Sequence, residues 1–366
     1  MFFLGRAANF SSQDKRHHTF AIGFKKDSNN LKNYLAKRYQ ASAENIALTA
    51  NGRSALTIAL KTFLSKDSKV LINGFTCHAV LEAVRAAKCI PIYADINLTT
   101  LHYDDKTLKA ALTKYPDISA IIVQNTFSIP VNIKPIQKIA KENNLFIIED
   151  LAHCVGAHYD NKTEVGTIGD ATALSFGKGK AVDTISGGAV IIRKDTARLV
   201  DAPKKRQKLS DTLRARWYPL FGAISRGLAR IHLDKINMAM LLKIHFIERS
   251  ADAKLNVEKR MPHWQAKLAL EKMRKLTKTN KPLREFFLVK NRDEVLAKLK
   301  KAGFNFDEFW YEVPISPARY YKKVHFPEKE CPNATLVAAK IVNIPNYYKK
   351  SDLKPAIKII KENLDE

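Results

Sequence analysis

Phe146-Ile147-Ile148-Glu149-Asp150-Leu151-Ala152-His153 is an apolar run that ends on two adjacent carboxylates, with a histidine three residues past the second. A strand inside a parallel sheet reads as such a run, and α/β sheets bind ligands at the carboxyl ends of their strands. Asp150 stands where a carboxylate can fix a protonated ring nitrogen, or cap a helix. His153 reads as a site residue or as a satisfied core histidine. Outward from this stretch the pattern alternates. The apolar runs Ile46–Ala50, Val70–Ile72, Ile90–Ile96 and Ile118–Val123 are interleaved with helical patterns at Leu31–Tyr39, Ala55–Phe63, Val80–Ala87, Leu108–Leu112 and Ile136–Ala140. Ala171–Phe176 and Gly188–Ile192 read as two further strands joined by a Gly-containing loop. Short apolar runs separated by helical patterns predict an α/β domain with a mostly parallel sheet over residues 1–200. Residues 201–260 read as a basic, amphipathic connecting segment without strand signals. Residues 261–366 read as a small C-terminal α+β domain, with helices at Trp264–Leu276, Arg292–Ala302 and Leu353–Leu364 and a short strand at Ile341–Ile344.

Composition narrows the function class. With 366 residues, 46% hydrophobic and 27% charged, the chain is globular and long enough for a sizeable core. Cys77, Cys89, Cys154 and Cys331 stand far apart with no CxxC pair. That excludes a disulfide scaffold and a zinc ribbon, and no bound metal is expected; a reducing, cytoplasmic setting is. The opening MFFLGR is too short an apolar run for a signal peptide, and no uncharged apolar stretch is long enough to span a membrane. The formal net charge of +26 points to acidic partners. It is densest in residues 201–260, where 14 basic and 6 acidic side chains stand together.

Two more motifs carry chemistry. Asn51-Gly52-Arg53-Ser54-Ala55 follows a strand and opens a helix, a place where free N–H groups and the positive end of the helix dipole meet an anion such as phosphate. It lacks GxGxxG, so no dinucleotide site follows. Ser175-Phe176-Gly177-Lys178-Gly179-Lys180, with Ser186-Gly187-Gly188 behind it, places lysines on a loop after a buried strand. Either lysine can serve as a Schiff-base nucleophile or as a phosphate clamp.

Taken in order, these motifs resemble the DegT/DnrJ/StrS sugar aminotransferases, which are pyridoxal-phosphate (PLP) enzymes of fold type I. The resemblance runs through NGRSAL (51–56), NGFTC (73–77), ADI (94–96), NTFSIP (125–130), IEDLAHCVG (148–156), SFGKGK (175–180), RMPHWQAKLAL (260–270) and CPNATLVAAK (331–340). It implies a large PLP-binding domain with a mostly parallel sheet and a smaller C-terminal domain. Lys180 resembles the lysine bonded to the cofactor, with Lys178 as its rival. Asp150 resembles the partner of the pyridine nitrogen, and His153 the residue beside the phenolic oxygen. Ser175 with the Gly52, Arg53, Ser54 helix start would hold the phosphate. The aromatic ring that stacks on the cofactor falls at Cys77, with His78 as the nearest alternative. Glu258 stands where the family has an Asn that reaches the partner chain's phosphate.

The implied activity is transfer of an amino group from an amino acid, with glutamate the usual donor, to a nucleotide- or lipid-linked keto-sugar, by a homodimer. The alternatives are a PLP sugar dehydratase, against which Lys180 argues, and a non-catalytic basic membrane-surface protein on the same scaffold. RNA-binding motifs are absent, so nucleic acid is not an expected partner. Leu213, Trp217, Leu220, Ile224, Leu228 and Ile231 recur at spacings of three and four, with Arg214, Arg216, Arg226 and Arg230 between them. That pattern fits peripheral contact of residues 209–247 with an anionic inner membrane face, or a packed interface helix, and Pro219 predicts a helix that starts near it.

Overall fold

The computed structural model describes residues 2–3, 12–193, 199, 201–229, 254–276, 282–305, 310–346, 348 and 350–365. Its centre is a seven-stranded sheet of β1 (Ile46–Thr49), β2 (Lys69–Asn73), β3 (Ile90–Ala94), β4 (Ile118–Val123), β5 (Phe146–Asp150), β6 (Ala171–Ser175) and β7 (Gly188–Ile192). The order across the sheet is β1-β7-β6-β5-β4-β2-β3. From β3 to β6 every pairing is parallel, and β7 runs antiparallel to both β6 and β1.

Helices cover both faces, which is why the strands read as continuous apolar runs. They are α1 (Ser12–Phe20), α2 (Lys25–Arg38), α3 (Gly52–Phe63), α4 (His78–Ala86), α5 (Asp105–Lys114) and α6 (Ile133–Glu142). Alternate residues of one strand serve opposite faces. Val70, Ile72 and Ile148 pack with α3 and α4, whereas Leu71 and Ile147 pack with α5 and α6. Ile46, Leu48 and Ile191 meet α2. Each such fully buried aliphatic side chain stabilises the fold by about 1.5–3 kcal/mol.

The segment after the sheet corrects one expectation. Helix α7 runs from Leu209 to Ala229, with Pro219 inside it rather than at its start. A proline in mid-helix has no N–H for the carbonyl four residues back, here Ala215. In this chain His18 Nε2 donates to Ala215 O at 3.1 Å, and Thr19 Oγ1 donates to the next carbonyl, Arg216 O, at 3.3 Å. The end of α1 thus supplies what the proline removes, and the helix continues through it. Ile231 lies outside the described residues, as does the part of 209–247 beyond 229.

Helix α8 (His263–Lys275) returns to the sheet and packs on α2. A second apolar cluster forms from β8 (Arg284–Leu288), antiparallel to β9 (Ile341–Pro345), with α9 (Arg292–Lys301) and α11 (Lys350–Lys361). β8 lies in a stretch that reads as strand-poor, because its partner strand is more than fifty residues away in the chain. Between them, α10 (Pro332–Lys340) follows a short parallel pairing of Ile315–Ser316 with Thr76–Cys77. That pairing brings residues 310–316 to the carboxyl edge of the sheet.

Candidate active site

A cavity of about 1050 Å3 opens at that carboxyl edge. Its inner end is lined by Asp150, Ala152, His153, Ser175, Lys180, Cys77 and Tyr311. The two carboxylates that end β5 point to different tasks, since neighbours in a strand face opposite sides. Glu149 is fully buried and spent on structure: it accepts from Gly166 N, Ile168 N, Gly169 N and the Tyr159 hydroxyl at 2.6–2.9 Å, and pairs with Arg193. Asp150 faces the cavity and accepts from Ala152 N at 2.9 Å. Burial pushes its carboxyl up, opposed by that hydrogen bond and by the charge of Lys180.

His153 is buried between two rings, parallel to Phe127 at 6.0 Å and near-parallel to Trp310 at 5.5 Å. The Phe127 backbone N–H donates to Nδ1 at 3.2 Å. A neutral ring whose Nδ1 accepts carries its proton on Nε2. Burial, then the charges of Lys180 and Arg284, hold His153 well below its usual range, so it stays neutral. It offers one fixed N–H donor.

The two lysines separate. Lys180 Nζ lies 4.9 Å from the Trp310 ring centroid and acts electrostatically on Asp150, His153 and Cys77. Lys178 Nζ lies 4.3 Å from the ring of Tyr218 on α7, and its charge acts on Asp183 instead. The loop between them and β7 is tied down from both sides. Asp183 accepts from Gly179 N and Ile185 N at 2.8 Å, and Gln265 Nε2 donates to Thr184 O at 3.0 Å and Ser186 Oγ at 2.8 Å. Gln265 is the glutamine of the RMPHWQ motif, which thereby fixes the loop that carries Lys180.

The start of α3 lines the same cavity. Asn51 caps it, accepting from Ser54 N at 2.8 Å and Ser54 Oγ at 3.0 Å. A Cβ on Gly52 would lie 2.5 Å from Ser175 Cβ, so only glycine lets the helix start reach the end of β6 this closely. Gly52 and Ser175 line the cavity together. Arg53 also lines it, but its guanidinium is paired with Glu82 on α4 at 2.6 Å. Ser54 is fully buried, and its hydroxyl is shared by Asn51 and the Asn256 N–H. It therefore shapes the turn from behind.

Cys77 is the N-cap of α4 and lines the cavity. His78 beside it turns away and stacks on Tyr320 at 4.5 Å. The aromatic wall comes instead from Tyr311, buried and stacked on Phe75 at 4.8 Å. Neither Trp310 nor Tyr311 carries a signal in the linear chain; the short pairing with Thr76–Cys77 places them. Glu258 pairs with Lys205 at 2.7 Å and does not line the cavity, whereas Asn256 does. The outer wall is Gln207, Lys208 and the α7 residues Ser210, Asp211, Arg214 and Tyr218, with Lys254 and Lys259 facing them.

A buried carboxylate, a lysine within its field, a neutral N–H donor and a glycine-opened helix start are groups that fit the ring, the aldehyde and the phosphate of PLP. Solved structures agree on the fold: a putative sugar aminotransferase of Streptococcus pneumoniae in its PLP form superimposes with a TM-score of 0.70, at 14% identity over 98% of each chain. The chain belongs to the DegT/DnrJ/EryC1/StrS aminotransferase family, whose profile it matches over residues 27–215. Among curated relatives, a pleiotropic regulatory protein of Geobacillus stearothermophilus is 26% identical over 81% of this chain and 78% of its own length. A GDP-perosamine synthase of Caulobacter vibrioides is 29% identical over 47% of this chain and 46% of its own length. The chain thus aligns with less than half of that sugar enzyme.

Proposed function

We propose that this chain is a PLP-dependent aminotransferase that moves an amino group from an amino acid, glutamate in first place, to a nucleotide- or lipid-linked keto-sugar in glycan biosynthesis. The observation that carries the reading is the convergence of Lys180, Asp150 and neutral His153 in a cavity that the start of α3 also lines. When bound, the cofactor supplies an electron sink for the carbon that gains or loses the amine. Asp150 keeps a proton on the pyridine nitrogen through its charge. His153 would donate its Nε2–H to the phenolic oxygen. The N–H groups at Gly52 and Arg53, with the Ser175 hydroxyl, bind the phosphate. Lys180 would be the residue that holds the cofactor covalently, and its Nζ would carry the proton between the reacting carbons. Phe127 and Trp310 hold the His153 ring in place.

A homodimer with the site near the subunit boundary, and a peripheral contact of residues 209–247 with an anionic membrane face, belong to the same proposal. The support for the contact is the basic charge of the segment and the exposed Leu213 and Leu220 of α7. No helix among the described residues is long and apolar enough to cross a membrane. The deciding experiment is borohydride reduction of the PLP-loaded protein followed by peptide mapping. Label on Lys180, with amino transfer from glutamate to a nucleotide-linked keto-sugar, supports the reading. A protein that takes up no PLP overturns it.

A further inference from the structure

Ten large apolar side chains are exposed among the described residues, and six of them fall in two short segments: Phe20, Ile22 and Phe24, and Leu209, Leu213 and Leu220. The first three are 68%, 64% and 61% exposed, more than any of the others except Leu209. They alternate from the last residue of α1, Phe20, to the N-cap of α2, Phe24, with Ala21 buried between the first two. The stretch cannot withdraw: a Cβ on Gly23 would lie 2.4 Å from the Trp264 backbone, so it is pressed against the first turn of α8 with its large side chains outward.

The two segments form one surface. Phe20 meets the Trp217 ring edge-on at 6.3 Å, and His18 and Thr19 hold the carbonyls of Ala215 and Arg216. On α7 the residues at 209, 213 and 220 share one side, while Ser210, Asp211, Arg214 and Tyr218 on the other side line the cavity. The rim of the surface is basic. Lys25, Lys26, Arg206 and Lys208 are exposed, and Lys25 and Arg206 both act on His263, which places them on the same side of the molecule. The nearby carboxylates are engaged: Asp27 accepts from Phe24 N at 2.7 Å, and Asp211 faces Lys259 at 3.4 Å.

We infer that Phe20, Ile22 and Phe24 are the inserting part of a composite docking surface for an anionic lipid bilayer, with α7 and the Lys25, Lys26, Arg206 and Lys208 side chains as its basic rim. Exposed apolar side chains enter the boundary between headgroup and acyl chain, and lysines and arginines around them attract an anionic leaflet. A second copy of the chain fits less well: a twofold interface sets a patch against itself, and here that brings the basic rim against the same basic rim. The inference extends the membrane contact proposed for 209–247 and does not depend on the aminotransferase reading.

The test is co-sedimentation of the full-length protein with phosphatidylglycerol-containing vesicles and with pure phosphatidylcholine vesicles, at low and high salt. The expected result is binding to the anionic vesicles that falls with salt, at least tenfold weaker in Phe20→Ser/Ile22→Ser/Phe24→Ser and several-fold weaker in Lys25→Glu/Lys26→Glu. Unchanged circular dichroism and cofactor uptake show that these variants fold. If Leu213→Ser/Trp217→Ala releases the protein while the Phe20 triple variant still binds, contact through α7 stands and the composite surface falls. Equal binding to neutral vesicles overturns the role of the rim. If no vesicle binds and the triple variant shifts the sedimentation coefficient from dimer to monomer, the surface is an interface between copies and the inference is overturned.

Discussion

At the inner end of the cavity, Asp150 and Ser175 end strands of the sheet, His153 stands on the turn after one, and Lys180 on the loop five residues past another. The outer wall comes from a different source: Asp211, Arg214 and Tyr218 ride on one helix that contains a proline and is held in place by α1. Asp150 and Ser175 are fixed by strands covered on both faces, and Lys180 by a loop that Asp183 and Gln265 tie to the sheet end. The outer ones depend on a few side-chain hydrogen bonds and on packing around Trp264. On the proposed function, the groups that would do the chemistry sit on the sheet end and its tied loop, and the wall that a substrate would pass sits on α7.

Variants at the inner end break this division most sharply. Lys180→Ala is expected to abolish turnover, a loss above about 1000-fold, because it removes both the covalent anchor and the proton carrier. Lys178→Ala, which removes a cation above Tyr218 and near Asp183, is expected to keep most of the rate. Steady-state kinetics with borohydride labelling check both, and equal losses would erase the distinction between the two lysines.

Asp150→Asn keeps the shape and removes the charge. A loss of about 100–1000-fold in kcat is expected, together with weaker cofactor binding, since a charge stabilising the transition state contributes several kcal/mol. Cofactor titration followed by absorbance, beside kcat, reads it. A near-wild-type rate would mean that Asp150 only caps the turn through Ala152.

Acid discriminates between the two regions as well. Burial lowers the pKa of His102, in the sheet region, and of His18, at the α1–α7 contact, from 6.5 to about 4. Each unfolded histidine binds a proton that its folded counterpart refuses, so stability rises with pH through this window and falls as pH drops from about 6.5 to 4. Each group contributes up to about 3 kcal/mol to that loss. Urea midpoints measured from pH 7.5 to 4.5 should fall in the wild type and fall less steeply in His102→Gln. A flat profile would show that these rings are protonated in the folded protein.

The smallest effect concerns the proline in α7. His18→Ala leaves the Ala215 carbonyl without its donor and removes an edge contact with Trp264, at a cost of about 1–3 kcal/mol. Pro219→Ala restores the N–H to the helix and is expected to recover about 1 kcal/mol in the His18→Ala background. A double-mutant cycle in urea with no coupling would show that α1 does not complete this helix.

The sequence by itself determined the sheet. Ile118–Val123 and Gly188–Ile192 are read to the residue, because strands covered on both faces must be apolar at every position, and that constraint is local. It also picked out Asp150 and Ser175 at strand ends and Lys180 on the loop after one, because they stand in ordered motifs that follow apolar runs. Tertiary structure alone showed what the other member of each pair does: Glu149 is spent on the turn at 166–169 and Arg193, and Lys178, though it also lines the cavity, lies over Tyr218 with its charge on Asp183, while the charge of Lys180 acts on Asp150. It also moved Ser54 behind the turn and sent the Arg53 guanidinium to Glu82. Tyr311 and Trp310 enter the site through a two-residue pairing with Thr76–Cys77, and α7 passes through Pro219 because His18, about two hundred residues away, completes it. In each case the deciding partner is distant along the chain, and neither hydrophobic period nor motif spacing carries information about it.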